Sequence, residues 1–293
     1  MDWLTFDAGL RYDSFATKDE PEVGTPEPEK RGNRTSPNIG LTLKPWDGVQ
    51  FFDTYKEGYR PPSLQESLSG GGFLQANPNL DAEIARNWEF GLNLSKDDVF
   101  LAGDKFRFKA AYFDNTTDGY IARTLDRTTW MYTRTNIDRA KFSGIEISSE
   151  YDMGRFFLNG AFTYYDKVAF CMNNAPCQSS SLSDDYSANH IPPKHWTSLT
   201  FGARAFDQRL TLGTRVTIVG ARAMDVIPDG TNLVLQWDPY TLTDVFANFK
   251  INDDFVLDVS AENIFDKYYV DPLGATLLPS PGRTIRMSLT AKF

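Results

Sequence analysis

Long apolar segments are missing from this sequence of 293 residues. No run approaches the roughly 18 apolar residues that a membrane-spanning helix needs, which excludes a helical membrane protein. A barrel of strands is not excluded, because its strands alternate apolar and polar residues and average out to a low hydropathy. The mean hydropathy of −0.40 is compatible with such a barrel.

Positive charge is also in short supply. The chain has 30 Lys and Arg against 39 Asp and Glu, which gives a formal net charge of −9. Nucleic acids and acidic membrane surfaces attract basic proteins. We therefore expect no nucleic acid among the partners of this protein.

Cysteine and histidine are scarce as well. The two cysteines, Cys171 and Cys177, lie in one short segment without any His, and the two histidines are His190 and His195. A metal site at the cysteines is not expected, because no further ligand lies nearby. We predict a disulfide that closes a small loop and implies an oxidising compartment. A pair of free thiols is the alternative.

The feature that the sequence does contain is alternation with a period of two. In residues 4–12, Leu, Phe, Ala, Leu and Tyr alternate with Thr, Asp, Gly and Arg, and residues 88–94, 106–112, 210–218 and 285–293 repeat the pattern. Such alternation indicates strands with one apolar face, and no segment shows the period of an amphipathic helix. The sequence predicts an all-β fold.

The predicted strands are joined alternately by short polar turns and by long segments rich in Gly, Pro, Ser, Asn and Asp. We predict about twelve strands, at residues 2–13, 35–45, 48–58, 84–96, 104–124, 136–152, 155–168, 194–205, 208–220, 240–251, 254–265 and 283–293. Long strands with short turns at one end and long loops at the other are typical of an antiparallel transmembrane β-barrel. A soluble sandwich or propeller also alternates and is the alternative.

Two motifs near the end of the chain resemble a known family. Residues 261–269 read Ala-Glu-Asn-Ile-Phe-Asp-Lys-Tyr-Tyr, and Pro281-Gly282-Arg283 opens a last segment that ends at Phe293. Their sequence and spacing resemble the C-terminal pattern of TonB-dependent outer-membrane receptors. The resemblance implies a 22-strand barrel in the outer membrane of a Gram-negative bacterium, driven through the TonB complex. It also implies that Phe293 is an assembly signal for the barrel-assembly machinery.

A second resemblance lies in two boxes on either side of residues 63–76. Residues 58–62 read Gly-Tyr-Arg-Pro-Pro and resemble, with two departures, the Phe-Arg-Ala-Pro box of haem, haemoglobin and hemophore receptors, and residues 77–80 match their Asn-Pro-Asn-Leu box. The residues that this resemblance marks for ligand binding are Tyr59, Arg60, Pro61, Asn77, Pro78, Asn79 and Leu80. Siderophore receptors carry degenerate forms of both boxes, and proline and glycine also stop strands and shape loops without any ligand.

Histidine is the point at which the sequence departs from this pattern. Haem receptors typically place a His between the boxes, where its imidazole can bind haem iron, and residues 63–76 contain none. His190, on the loop side of a Pro pair, is the better candidate of the two histidines, and Tyr59 is another. A lone His near the surface is more often simply solvated.

Twelve strands are just over half of a 22-strand barrel. Counted back from Phe293 they correspond to its last twelve, so residues 1–293 are expected to form the C-terminal portion of the barrel, with the plug domain absent. The first residues also lack the basic start and apolar core of an export signal. An open sheet has unpaired edges, so it must find its missing half, close alone as twelve strands, or aggregate.

These observations favour a receptor in outer-membrane lipid that captures an iron carrier, with haem or a haem-protein preferred over a ferric siderophore. Haem would be a transported ligand and not a cofactor. Two other classes stay open: a twelve-strand outer-membrane hydrolase and a soluble binding domain made of strands. A hydrolase needs a Ser and a His in contact, whereas His195 and Ser198 lie at an odd separation and point to opposite faces of one strand.

Overall fold

A computed structural model of the protein describes residues 3–18, 29–68, 74–126, 128–172, 174, 176–177, 191–223, 238–271 and 278–292. Its elements are β1 (Leu4–Thr17), β2 (Lys30–Trp46), β3 (Val49–Arg60), α1 (Leu64–Ser67), β4 (Leu74–Gln75), β5 (Glu83–Asp97), β6 (Lys105–Asp118), β7 (Ile121–Asp126), β8 (Met131–Asn136), β9 (Arg139–Asp152), β10 (Phe156–Cys171), β11 (His195–Ala205), β12 (Leu210–Val219), β13 (Tyr240–Lys250), β14 (Phe255–Glu262) and β15 (Thr284–Ala291). None of the described helices is long and apolar enough to cross a membrane.

Twelve of these strands form one antiparallel sheet. Their order is β1-β2-β3-β5-β6-β9-β10-β11-β12-β13-β14-β15, and a separate small sheet has the order β4-β8-β7. Within the described residues β1 and β15 do not pair with each other, so the large sheet is open. The prediction of an all-β fold with twelve barrel strands is confirmed.

The structure differs from the predicted boundaries mainly at the end that carries the long loops. β1 and β2 extend to Thr17 and Lys30, beyond the predicted limits, because fourteen continuous residue pairs hold them together. The predicted strand 104–124 is two strands, β6 and β7. Gly119, with a φ of +65°, turns the chain between them, and such a φ favours glycine.

One face of the large sheet is apolar and exposed. Cross-strand partners form a continuous row through seven strands, namely Leu4, Leu43, Phe51, Leu92, Ala110, Ile147 and Phe162. Farther along, Leu199 and Phe201 of β11 lie on the same face, and both are exposed. An apolar band of this kind is the lipid-facing surface of a membrane barrel.

The opposite face carries ion pairs between neighbouring strands. Lys109 pairs there with Glu89 at 2.6 Å, and Arg215 pairs with Asp244 at 3.0 Å. A polar interior opposite an apolar exterior is the arrangement of a barrel lumen.

The two ends of the sheet differ as predicted. Short turns join the strands at one end, and in the two-residue turn between β2 and β3 Gly48 has a φ of +75°. A Cβ at Gly48 would lie only 2.1 Å from the carbonyl oxygen of Ser95, so no other residue fits. The other end carries α1 and the small sheet above an apolar cluster of Ala122, Ile137, Ala140, Val168, Phe170, Ile191 and Ala223.

Candidate functional site

The two boxes marked by the sequence meet at the loop-bearing end. The first box ends β3 and leads into α1, and the second box lies just before β5. Every residue of β3 pairs with a residue of β5. Pro62 and Pro78 line one cleft together with Phe15, Lys30 and Leu68. The pairing of β3 with β5 therefore brings two segments that are separate in sequence into a single loop cluster.

Arg60 is the residue of the first box that joins this cluster. Its Nε donates to Glu83 at 2.5 Å, and its Nη1 donates to Glu66 at 2.8 Å. Glu83 is buried, and its second oxygen accepts the backbone N–H of Ile121 at 2.7 Å. Arg60 therefore links the end of β3 to α1 and, through Glu83, to the start of β7.

Glu66 also belongs to a capping box at the start of α1. It accepts the backbone N–H of Ser63 at 2.8 Å while its own N–H donates to the Ser63 hydroxyl at 3.2 Å. Burial works to raise the pKa of Glu66, but hydrogen bonds from Arg60 and Ser63 outweigh burial and hold the pKa below its ordinary value. Glu66 is therefore a carboxylate at neutral pH.

The second box is held by its polar side chains and by Leu80. Asn77 Nδ2 donates to the carbonyl oxygen of Arg134 in β8 at 2.7 Å, and Asn77 Oδ1 accepts the N–H of Asn79 at 3.0 Å. The side chain of Leu80 is fully buried, and its carbonyl oxygen accepts a hydrogen bond from Lys30 of β2. Leu80 therefore packs inside the cluster, whereas Asn79 is exposed.

Asn136, at the end of β8, fixes the residue that follows the second box. Its Oδ1 accepts the N–H of Asp81 at 2.8 Å, and its Nδ2 donates to the carbonyl oxygens of Asp81 at 2.9 Å and Gly119 at 2.6 Å. The sequence carries no motif at Asn136, which lies 55 residues after Asp81. Only the folded structure shows its role.

Tyr59 lies at the rim of the same cluster. Its ring packs against Phe15 of β1, with the two ring centroids 6.1 Å apart, and its hydroxyl approaches Gly32 of β2. The residue is partly exposed. Its hydroxyl is thus directed at the neighbouring strands in this structure.

The two histidines have different positions. His195 begins β11 and shares a face of that strand with the exposed, lipid-directed residues Leu199 and Phe201. His195 therefore does not point into the lumen, and Ser198 points to the opposite face, as the spacing predicts. His190 and Phe293 lie outside the described residues.

The two cysteines come together at the end of β10. Cys171 and Cys177 form a disulfide in the structure, with a Cα–Cα distance of 4.1 Å. Cys171 pairs across the strand with Arg139 of β9. The disulfide therefore closes the short segment that directly follows β10. Among the described residues no group of three or more His, Cys, Asp or Glu side chains could hold a metal ion.

A comparison with protein families agrees with this geometry. Residues 1–264 match the family model described as TonB dependent receptor-like, beta-barrel. The chain belongs to the TonB-dependent receptor family. Members of this family are outer-membrane proteins of Gram-negative bacteria and depend in general on TonB.

Several curated relatives have names that refer to haem or to haem-binding proteins. The hemophilin receptor of Acinetobacter baumannii is 26% identical over 88% of this chain and 27% of its own length. The heme/hemopexin utilization protein C of Haemophilus influenzae is 26% identical over 99% of this chain and 41% of its own length. The hemin receptor of Yersinia pestis is 27% identical over 95% of this chain and 40% of its own length. The chain thus spans less than half the length of these relatives.

Two solved structures superimpose on this chain. The hemophore receptor HasR of Serratia marcescens, solved as a double mutant with its hemophore HasA and heme, superimposes with a TM-score of 0.74 at 25% identity, over 99% of this chain and 49% of that chain. The copper transporter OprC superimposes with a TM-score of 0.76 at 18% identity, over 100% of this chain and 46% of that chain. At that identity the second match shows the fold alone.

Proposed function

We propose that the native polypeptide containing this chain is an outer-membrane receptor that binds haem or a haem-protein at its loop-bearing end and imports haem with energy from TonB. The observation that carries the proposal is the loop cluster, in which Pro62 and Pro78 of the two boxes line one cleft, Arg60 ties the first box to Glu83, and Asn136 holds Asp81 directly after the second box. The haem-related names of the sequence relatives support haem over a siderophore.

The chain would form the C-terminal portion of the receptor barrel, with the plug domain elsewhere in the complete protein. The open edges at β1 and β15 support this, because unpaired backbone groups are too costly to leave in lipid. The disulfide at Cys171 and Cys177 fits an oxidising compartment such as the periplasm. Phe293 would be read by the barrel-assembly machinery.

Ligand contact would involve the exposed parts of the cluster. Asn79 and Arg60 are exposed, and Tyr59, Pro61, Asn77 and Pro78 are partly exposed, whereas buried Leu80 would act by packing. His190 and Tyr59 are the proposed iron ligands, because imidazole and phenolate are both known haem ligands. His195 and Ser198 face opposite ways on β11, so these two side chains do not form the Ser/His contact that a hydrolase needs.

The test is a hemin titration of the native polypeptide, followed by its Soret band. We expect a shifted band that is weakened by His190→Ala or Tyr59→Phe. His195→Ala is the matched control, since His195 lies on the lipid-directed face and should not change the band. A native polypeptide that gives no Soret shift, but whose tryptophan fluorescence is quenched by a ferric siderophore, would replace haem with a siderophore as the ligand.

A further inference from the structure

The hairpin of β7 and β8 packs against the inner face of the large sheet. Ala122 of β7 belongs to the apolar cluster that also contains Ala140, Val168 and Phe170, which lie on the inner face of β9 and β10. Successive side chains of a strand point to opposite faces. The next residue, Arg123, therefore lies on the face of the hairpin that is turned away from the sheet.

Two arginines lie directly opposite each other on this face. Arg123 of β7 pairs with Arg134 of β8, and the Cβ atoms of opposite residues are about 4.5–5.5 Å apart. The Arg123 guanidinium lies over the ring of Tyr132, 4.3 Å from its centroid. Arg134 Nη1 donates to the carbonyl oxygen of Gln65 in α1 at 2.9 Å. Like charges in opposite positions destabilise a sheet, so this arrangement favours an anion that lies against both guanidiniums.

The hairpin is positively charged within an acidic chain. Residues 121–136 contain three arginines, one aspartate and no other charged side chain, whereas the whole chain has a net charge of −9. The adjoining carboxylates Glu66 and Glu83 both pair with Arg60. Positive charge is therefore concentrated around the two opposite arginines.

Toward the tip of the hairpin the same face is apolar. Leu125 pairs there with Tyr132, and both side chains are partly exposed. At the tip itself Trp130 is exposed, and its φ of +56° lies in the left-handed region, which costs free energy in an L-residue. Strained positions of this kind cluster at binding sites. The face thus presents two guanidiniums beside an apolar and aromatic surface.

The two arginines also adjoin the boxes. The carbonyl oxygen of Arg134 accepts a hydrogen bond from Asn77 Nδ2 of the second box at 2.7 Å. Leu74 of β4, just before that box, pairs with Tyr132. Gln65, which Arg134 contacts, lies in α1 directly after the first box. The arginine pair therefore belongs to the loop cluster that is proposed above to bind haem.

We propose that Arg123 and Arg134 bind the two propionate carboxylates of haem, while Leu125 and Tyr132 pack against its porphyrin ring. Haem is a flat, largely apolar ring with two carboxylates at one edge, so it matches a face that has two guanidiniums beside an apolar surface. Guanidinium binds carboxylate through paired, charge-assisted hydrogen bonds. This inference rests on the proposed function and adds the residues that recognise the carboxylates of the ligand.

The test compares hemin with hemin dimethyl ester, in which both carboxylates are blocked, by Soret titration of the native polypeptide in detergent. The ester keeps the iron and the ring, so a difference in affinity reports the carboxylates alone. We expect hemin to bind at least about tenfold more tightly than the ester, and Arg123→Gln with Arg134→Gln to remove most of that preference. The same double variant should bind the ester as the unchanged protein does, because the ester cannot use the charge of the arginines. An equal loss of ester binding would show that the arginines only shape the site and would overturn the inference.

The conservative double variant is Arg123→Lys with Arg134→Lys. It keeps both charges without the paired geometry and should retain a preference for hemin of at least about threefold. The matched control, Arg107→Gln with Arg215→Gln, removes the same charge from the inner face of the sheet, where each arginine pairs with a carboxylate. We expect this control to keep the full preference for hemin. Equal loss in the control and in the hairpin variant would overturn the inference, since net charge would then decide the preference.

The same titrations separate the carboxylate site from haem binding itself. Equal binding of hemin and its ester by the unchanged protein would overturn the carboxylate site and leave haem binding in place. A native polypeptide that shifts the Soret band of neither compound would overturn the proposed function and this inference with it.

Discussion

Asn136→Ala tests how the second box is held in place. Asn136 makes three hydrogen bonds, one from the N–H of Asp81 and two to the carbonyl oxygens of Asp81 and Gly119. Alanine removes all three and adds no new contact. The strands on either side keep their backbone pairing, so we expect the change to be confined to residues 77–82.

The expected loss of local stability in Asn136→Ala follows from the number and exposure of the hydrogen bonds that are removed. A typical hydrogen bond contributes a net amount of about 0.5–1.5 kcal/mol. Two of the three bonds involve exposed groups and therefore belong at the low end, whereas the bond to Gly119 is partly buried. The free energy of local opening at Asp81 should fall by about 2 kcal/mol, which corresponds to about a thirtyfold larger open population.

Hydrogen exchange of the native polypeptide, followed by mass spectrometry, measures this opening. The amide of Asp81 should exchange about thirty times faster in Asn136→Ala, while amides within β9 and β10 keep their rates. Asn136→Asp is the matched variant, since it keeps the acceptor for the Asp81 N–H but cannot donate to either carbonyl. An unchanged rate at Asp81, or faster exchange throughout the sheet, would refute the assigned role of Asn136.

Four further predictions concern single features of the structure. Leu80→Ala should destabilise the loop cluster by about 3 kcal/mol in denaturant melts because it leaves a cavity, and Leu80→Met should cost less than half of that. Gln208→Gly should raise stability by up to about 1 kcal/mol, because Gln208 has a φ of +65°, whereas Gln208→Ala should not. Protease resistance near α1 should fall as the pH drops below about 4.3, the ordinary Glu pKa, because the lowered pKa of Glu66 adds stability that is complete above the unfolded pKa and is lost as the pH falls through the folded one; Glu66→Gln should remove this dependence. Alkylation before reduction should label neither Cys171 nor Cys177, and reduction should cost about 2 kcal/mol; two reactive thiols would contradict the disulfide.

The strands and their faces were predictable because the alternation that defines them lies within each short stretch of sequence. A strand that separates lipid from a wet lumen must alternate apolar and polar residues, and this alternation can be read directly from residues 4–12 or 285–293. The short turns were equally visible, since residues such as Gly48 interrupt the alternation with turn-forming side chains. The boxes at Tyr59–Pro62 and Asn77–Leu80 stood out as motifs for the same reason: each is a continuous piece of sequence.

The contacts that build the loop cluster could not be predicted in this way. Arg60 meets Glu83 because β3 and β5 are neighbours, and Asn136 meets Asp81 across 55 residues of chain. Strand register likewise decides that Lys141 of β9 lies opposite Thr116 of β6 and pairs with Asp114. The sequence alone determined which residues face lipid, because burial imposes a period on each strand. Only the tertiary structure decided which polar side chains meet, because hydrogen bonds depend on distances between segments that no local pattern encodes.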